Sequence, residues 1–278
     1  MNTIEFTLLI GAGSLVAGFL GALTGLGGGI IIVPMLTLIF GIDIRLAVGA
    51  SLISVIATSS GAAAAFVKEG FSNIRIGMVL EIATTIGAVC GAYLHPIFSA
   101  GLLGIIFGVV LIFSAAISFR PKHSKDTAGH RDRLAKFLRA DSSYPGPEGR
   151  VEYRIHHIPQ GFGLMYIAGV LSGLLGIGSG AMKVLAMDRV MQVPFKVSTT
   201  TSNFMIGVTA VASAGVYLSR GYIHPGLAMP VMLGVSLGAL LGARVLVKAP
   251  SSKIRLVFSA AIVLMAIEMI YNGLTGGL

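Results

Sequence analysis

Tryptophan is missing from this 278-residue chain, cysteine occurs once, and charged residues make up only 11% of it. A lone Cys90 cannot form an internal disulfide. Inside an apolar segment it reads as a small buried hydrophobe rather than a redox centre. So few charges, set against 55% hydrophobic residues, exclude a soluble domain, because one core could not absorb apolar runs such as 102–119 and 257–271. The missing tryptophan decides nothing. What the chain does have is a series of apolar stretches of about twenty residues, the length that crosses a ~30 Å hydrocarbon core. It is the sequence of an integral membrane protein. The first stretch lacks a basic leader and a small-residue cleavage site, and is expected to belong to the mature fold.

Sliding the chain against itself by 151 positions lays Gly25-Leu26-Gly27-Gly28-Gly29 on Gly176-Ile177-Gly178-Ser179-Gly180 without a gap. The same offset pairs Gly18 with Gly169, Ser51 with Ser202, Thr58 with Thr209, Gly87 with Gly238 and Phe107 with Phe258. The chain is an internal duplication. Two apolar halves with glycine-broken segments at matching places are the mark of a secondary transporter whose site lies where the halves meet.

Candidate helices run over 6–23, 30–40, 46–67, 76–94 and 102–119, with five more between 162 and 271. The second segment of each half is short for a crossing, so each first pair reads as two crossings or as a hairpin that dips in and returns. Either way the crossing parity is odd. The polar stretch 120–158 holds nine Lys/Arg against five Asp/Glu, which places it in the cytoplasm. An odd count then puts the link at His95-Pro96 outside, and brings Arg244, Lys248, Lys253 and Arg255 inside. The expected fold is an all-α integral membrane protein of two inverted-topology repeats, 1–119 and 161–278, each a glycine-broken helix or hairpin followed by three transmembrane helices, 8 to 10 segments in all. Both termini fall outside, in a bacterial cytoplasmic (inner) membrane.

The joining loop, 120–160, has patterns of its own. Leu134, Phe137 and Leu138 share one side of a basic helix over 130–139, suited to the inner leaflet. His123, His130, His156 and His157 match no zinc spacing and read as solvated loop. Residues 142–149 read as turn or linker. No metal, cofactor or nucleic-acid partner is expected; positive-inside bias explains the basic charge.

Four glycines within 25–29 are too many for a continuous helix at about 1 kcal/mol each, so the backbone should unwind there. Unwound backbone at membrane depth must be buried in protein or line a cavity, and its exposed N–H groups suit an anion. The two clusters, Gly27-Gly28-Gly29 and Gly178-Ser179-Gly180, are candidate substrate contacts. Gly87-x-x-x-Gly91 and Gly238-x-x-x-Gly242 read as close helix packing, and such faces permit a homodimer. Ser51, and Thr200, Thr201, Ser202 and Asn203 within a polar run from Ser198, are further candidate oxyanion donors.

Charges at membrane depth are functional suspects by default. Lys183 follows the second glycine cluster, either beside an anion or snorkelling to the surface. Arg45 and Lys196 coincide under the repeat and serve as interfacial anchors or gate charges. Glu81 and Glu268 lie in apolar segments, as carriers of a coupling proton or as structural partners of a base.

These motifs resemble the TauE/SafE family of sulfite exporters, with its repeated Gly-x-Gly-Gly-Gly-x-x-x-Val-Pro-x-Leu signature. The first copy stands as Gly25-Leu-Gly-Gly-Gly-Ile-Ile-Ile-Val33-Pro34-Met-Leu36, followed by Ala47-Val-Gly49-Ala50-Ser51-Leu52. The second departs: Ser179 replaces a glycine, Lys183 occupies a free position and Leu185 replaces the proline. The resemblance implies export of small sulfur-containing anions, such as sulfite, sulfoacetate or other organosulfonates, coupled to an ion gradient. An importer of sulfate or a small carboxylate, or an anion channel, remains the alternative. An intramembrane enzyme is disfavoured, since no nucleophile with a base, metal-ligand cluster or nucleotide fingerprint is present.

Overall fold

The structure, a computed structural model, describes residues 2–24, 28–68, 71–118, 137–138, 140–146, 149–246 and 251–277. In the first half, α1 (Thr3–Thr24) is followed by α2 (Gly29–Pro34), which runs on into a π-helical turn (Met35–Ile39), then by α3 (Ile44–Lys68), α4 (Ile74–Leu94) and α5 (Ala100–Ser118). The second half has α6 (Ile158–Leu175), α7 (Gly180–Leu185) with its π-helical turn (Ala186–Val190), α8 (Phe195–Ser219), α9 (Pro225–Leu246) and α10 (Ser251–Thr275). The starts of α2 to α5 recur 151 residues later as the starts of α7 to α10. Loop bonds recur too: Ile42 N donates to Leu36 O at 3.0 Å, and Val193 N to Met187 O at 2.9 Å. Pro34 is not needed for the π turn, which Leu185 supports equally.

The halves interleave. Helix α1 lies along α9, α4 along α6, α5 along α10 and α3 along α8, so each close pair takes one helix from each half. Glycine makes this approach possible. A methyl at Gly87 or Gly91 of α4 would strike the Tyr166 or Val170 carbonyl oxygen of α6, and one at Gly169 or Gly173 would strike that of Thr84 or Ala88. Gly18 and Gly238 pack in the same way between α1 and α9. Helices α3 and α8 are antiparallel. Gly49, near the start of α3, faces the Tyr222 carbonyl beyond the end of α8, and Thr201, near the start of α8, accepts a hydrogen bond from Asn73 N beyond the end of α3.

The first two helices of each half form a hairpin that returns to its own starting end. Phe6 of α1 stacks edge-on against Phe40 after α2, ring centres 5.9 Å apart; His156 N, ahead of α6, donates to Met191 O beyond α7 at 3.1 Å. Around the interleaved core, Leu8, Ile82, Ile86, Leu237, Leu240 and Ile267 are each more than half exposed. Five of the described helices are long and apolar enough to cross a membrane, and this outward apolar surface is the lipid-facing side of an all-α membrane protein.

In the joining segment, the stretch expected as turn or linker forms two antiparallel strands, β1 (Ser142–Gly146) and β2 (Gly149–Tyr153), with Ser142 opposite Tyr153. The Pro- and Gly-rich residues sit at its tip, and the flanking Tyr144, Val151 and Tyr153 supply strand formers. Asn73 anchors it: the side-chain amide donates to Ala140 O and to the Tyr153 hydroxyl, both at 2.9 Å, while its Oδ1 caps α4 by accepting from Ile76 N. Burial pushes the Tyr153 phenol above its ordinary value, against the opposing effect of the Asn73 bond. The proposed basic helix over 130–139 lies outside the described residues except Phe137 and Leu138, as do His123 and His130.

Candidate functional site at the hairpin junction

The two hairpins meet tip to tip. A Cβ on Gly29 would come within 2.8 Å of Ser51 Oγ, 2.9 Å of Val55 Cγ2 and 3.2 Å of the Gly176 carbonyl oxygen. On the other side, a Cβ on Gly178 would approach Val55 Cγ1 at 3.2 Å and Ile206 Cγ2 at 2.8 Å. Val55 of α3 thus touches both glycine clusters. The Ser51 hydroxyl donates to Gly176 O at 2.8 Å, tying a first-half helix to the second-half hairpin. Gly176, Gly178 and Ser179 take left-handed conformations, φ +68°, +69° and +46°, which glycine tolerates and serine does so at some cost. The break expected from the glycine content is present between α6 and α7. Gly28 and Gly29 are buried at the start of α2, and Gly27 lies outside the described residues.

Candidate donors divide into two groups. Ser51, Ser179 and Ser202 stand at the hairpin tips, Ser202 donating to Gly180 O at 3.3 Å. Ser179 Oγ is buried with no hydrogen-bond partner among the described residues. Thr200 and Thr201 belong elsewhere. The Thr200 hydroxyl faces the Phe71 carbonyl and those of its own helix, and Thr201 accepts from Asn73 N, so both fasten the start of α8 to the start of α4. Asn203 is half-buried one position beyond Ser202.

Lys183 is fully buried, which removes the snorkelling alternative. Its ammonium donates to Thr209 Oγ1 at 2.5 Å, and Thr209 Oγ1 lies 2.6 Å from Glu81 Oε1, to which it donates. The Lys183 and Glu81 charges are 3.8 Å apart, measured to Glu81 Oε2, an oxygen without a hydrogen-bond partner among the described residues. Thr85 donates to Glu81 Oε1 at 3.2 Å. One hairpin helix, α7, is thereby joined through α8 to α4 of the other half by a charged network. An isolated buried charge costs several kcal/mol, so the lysine is stable here because the carboxylate accompanies it.

Other charged candidates do not join them. Glu268 is exposed on α10. Arg45 is half-buried at one end of the molecule, its Nε lacking a hydrogen-bond partner among the described residues, and Lys196 is exposed at the other, its ammonium 3.7 Å from the centre of the Phe71 ring. Sequence reasoning missed one participant, Thr209, and one buried histidine outside the network, His95. Thr209 was signalled only by its pairing with Thr58 under the repeat. His95, read as part of an outer link, is fully buried; its Nδ1 is 2.7 Å from Leu174 O and its ring 5.1 Å from that of Tyr217.

Helices from two halves, lipid-facing outside and enclosing broken segments with a buried charged network, make a multi-pass protein of the cytoplasmic membrane, built as a membrane transporter. The chain matches the model of the sulfite exporter TauE/SafE family over residues 10–269, and it belongs to that family. It is 27% identical over 279 residues to the probable membrane transporter protein YunE of Bacillus subtilis (strain 168), covering 98% of this chain and 99% of the relative. With the probable membrane transporter protein YdhB of the same organism it shares 28% over 232 residues, 83% of this chain and 84% of the relative. A probable membrane transporter protein of Methanocaldococcus jannaschii is 26% identical over 280 residues, 95% and 94% of the two chains. No solved structure matches.

Proposed function

We propose that the protein is a secondary transporter that exports small sulfur-containing anions, sulfite or organosulfonates such as sulfoacetate, by alternating access coupled to an ion gradient, with the proton as coupling ion. The observation that carries this reading is the fully buried Lys183, one helical turn from Ser179 at the tip of the second hairpin; the Ser179 hydroxyl has no hydrogen-bond partner among the described residues. An anion there meets a cation, a free hydroxyl and the loosened backbone at Gly178 and Gly180. The family description supplies the sulfur chemistry. The antiparallel α3 and α8, counterparts under the 151-residue offset, support inverted repeats, and the returning hairpins leave three crossings per half. The joining segment is then cytoplasmic, at the end that holds Arg75, Arg150, Arg154, Arg189 and Lys196; Arg45 and Arg220 lie at the outer end.

The test is isothermal titration of the detergent-purified protein with sulfite, sulfoacetate, methanesulfonate, sulfate and acetate. Selective binding of the sulfur anions is expected, weakened about tenfold in Ser179→Ala, the value of one hydrogen bond to a charged group. If none of the five anions binds, the anion reading is wrong.

A further inference from the structure

Resting on that reading of the junction, we propose that Lys183 changes partners during transport: the anion takes the place of Glu81 beside the ammonium, and Glu81 takes up one proton from water as it does so. The geometry suits an exchange. Glu81 Oε2 faces Lys183 at 3.8 Å, outside hydrogen-bond range and without another hydrogen-bond partner among the described residues. Thr209 holds the two together by touching both, and its hydroxyl can turn from the carboxylate to its own helix, where Met205 O is 2.9 Å away. The pair spans α7, α8 and α4, so parting it loosens one hairpin from the opposite half.

Charge balance makes the proton obligatory. The resting site holds one ammonium and one carboxylate, net zero. An anion entering beside an ionised Glu81 would leave a net negative charge in a buried site, which is strongly disfavoured. Protonating Glu81 restores neutrality: an O–H bond forms on the carboxylate, Lys183 keeps its charge, and no other bond changes. Among the described residues, the surrounding elements offer no substitute. On α4 the nearest charged residue is Arg75, six positions away; on α8, Lys196 is near one end and Arg220 follows the other. Tyr166 of α6 is exposed, and Asp188 after α7 pairs with Arg189 at 3.6 Å. The occupied site is neutral only with a monoanion, so bisulfite and simple sulfonates are the matching class, and sulfoacetate, a dianion at neutral pH, enters only with a second proton on its own carboxylate. Each anion moves with one proton in the same direction and flux is electroneutral, so export runs down the outward anion gradient and an inward proton gradient opposes it.

Methanesulfonate is the probe, because it carries one negative charge at every working pH and any proton taken up belongs to the protein. Titration in Tris and in imidazole, cationic buffers of different ionisation enthalpy, counts that proton. The expected result is one proton absorbed per anion wherever Glu81 starts ionised, with affinity rising about tenfold for each unit the pH falls in that range. Glu81→Gln should bind with no proton uptake and no pH dependence. Binding to the wild type without uptake between pH 5 and 9 overturns the exchange and leaves the anion site standing. Uptake that persists in Glu81→Gln also overturns it. Should that variant fail to fold, the wild-type count decides alone. Absent methanesulfonate binding overturns the proposal as well; if sulfite and sulfoacetate also fail to bind, the sulfur-anion reading falls with it.

Discussion

At Lys183 a single charge is stabilised by one carboxylate and one hydroxyl, and this has a direct consequence for stability. Removing the ammonium alone, as in Lys183→Met, leaves Glu81 buried and unpaired, at about 3–5 kcal/mol. Replacing both partners removes the penalty, because an apolar pair of similar volume needs no compensation. Lys183→Met with Glu81→Leu is therefore expected to melt well above Lys183→Met in the same detergent, a non-additivity that reports direct contact. Equal and additive losses would mean that the two groups do not stabilise each other. Lys183 and Glu81 were both legible in the sequence, since a charge within an apolar run is conspicuous. Their pairing was not, because 102 positions separate them and the repeat matches neither to the other half. Thr209 was hidden for a different reason: threonines in membrane helices ordinarily bond their own carbonyls, as Thr209 does with Met205.

Among the helices, glycine decides how closely the two halves approach, and one helix provides its own control. Gly173 on α6 faces the Ala88 main chain, whereas a Cβ on Gly163 of the same helix would have nothing within 4 Å. Gly173→Ala must push α6 away from α4, at about 1–3 kcal/mol for an overpacked contact. Gly163→Ala gains helix propensity at no steric cost, and is expected to be neutral or to stabilise by up to about 1 kcal/mol. Thermal unfolding of the two variants in detergent compares them, and equal behaviour would count against the α4–α6 packing. Element positions were well marked in the sequence because apolar length and glycine breaks are local signals. The course of the short second helices was not, since 30–40 is consistent with either a crossing or a return until Phe6 is seen against Phe40. The strands β1 and β2 were obscured because proline and glycine at their tip dominate a ten-residue window, while the anchoring Asn73 lies about 70 positions away.

Taken whole, the molecule has two chemically different ends, and this decides how it sits in a bilayer. His95, Tyr217, Tyr222, Arg45 and Arg220 gather at one; the joining segment, β1 and β2 gather at the other with Arg75, Arg150, Arg154, Arg189 and Lys196. Loops held in the cytoplasm collect lysine and arginine, so the second end is expected to face inward. One returning hairpin and three crossing helices per half, as proposed, would place Ser99, at the start of α5, and Ser219, at the end of α8, on the outside, although they come from different halves. Glu152 in β2 falls inside. In a Cys90→Ala background, a membrane-impermeant thiol reagent should label Ser99→Cys and Ser219→Cys in intact cells, and Glu152→Cys only after the membrane is opened. Each of these residues is exposed, so burial does not prevent labelling. Labelling of Ser99→Cys and Glu152→Cys from the same side would mean an even number of crossings between them, and the odd parity that inverts the halves would be lost. Labelling of all three in the reverse sense would keep the inverted fold and turn it over in the membrane, so that the basic segment faced outward against the charge rule.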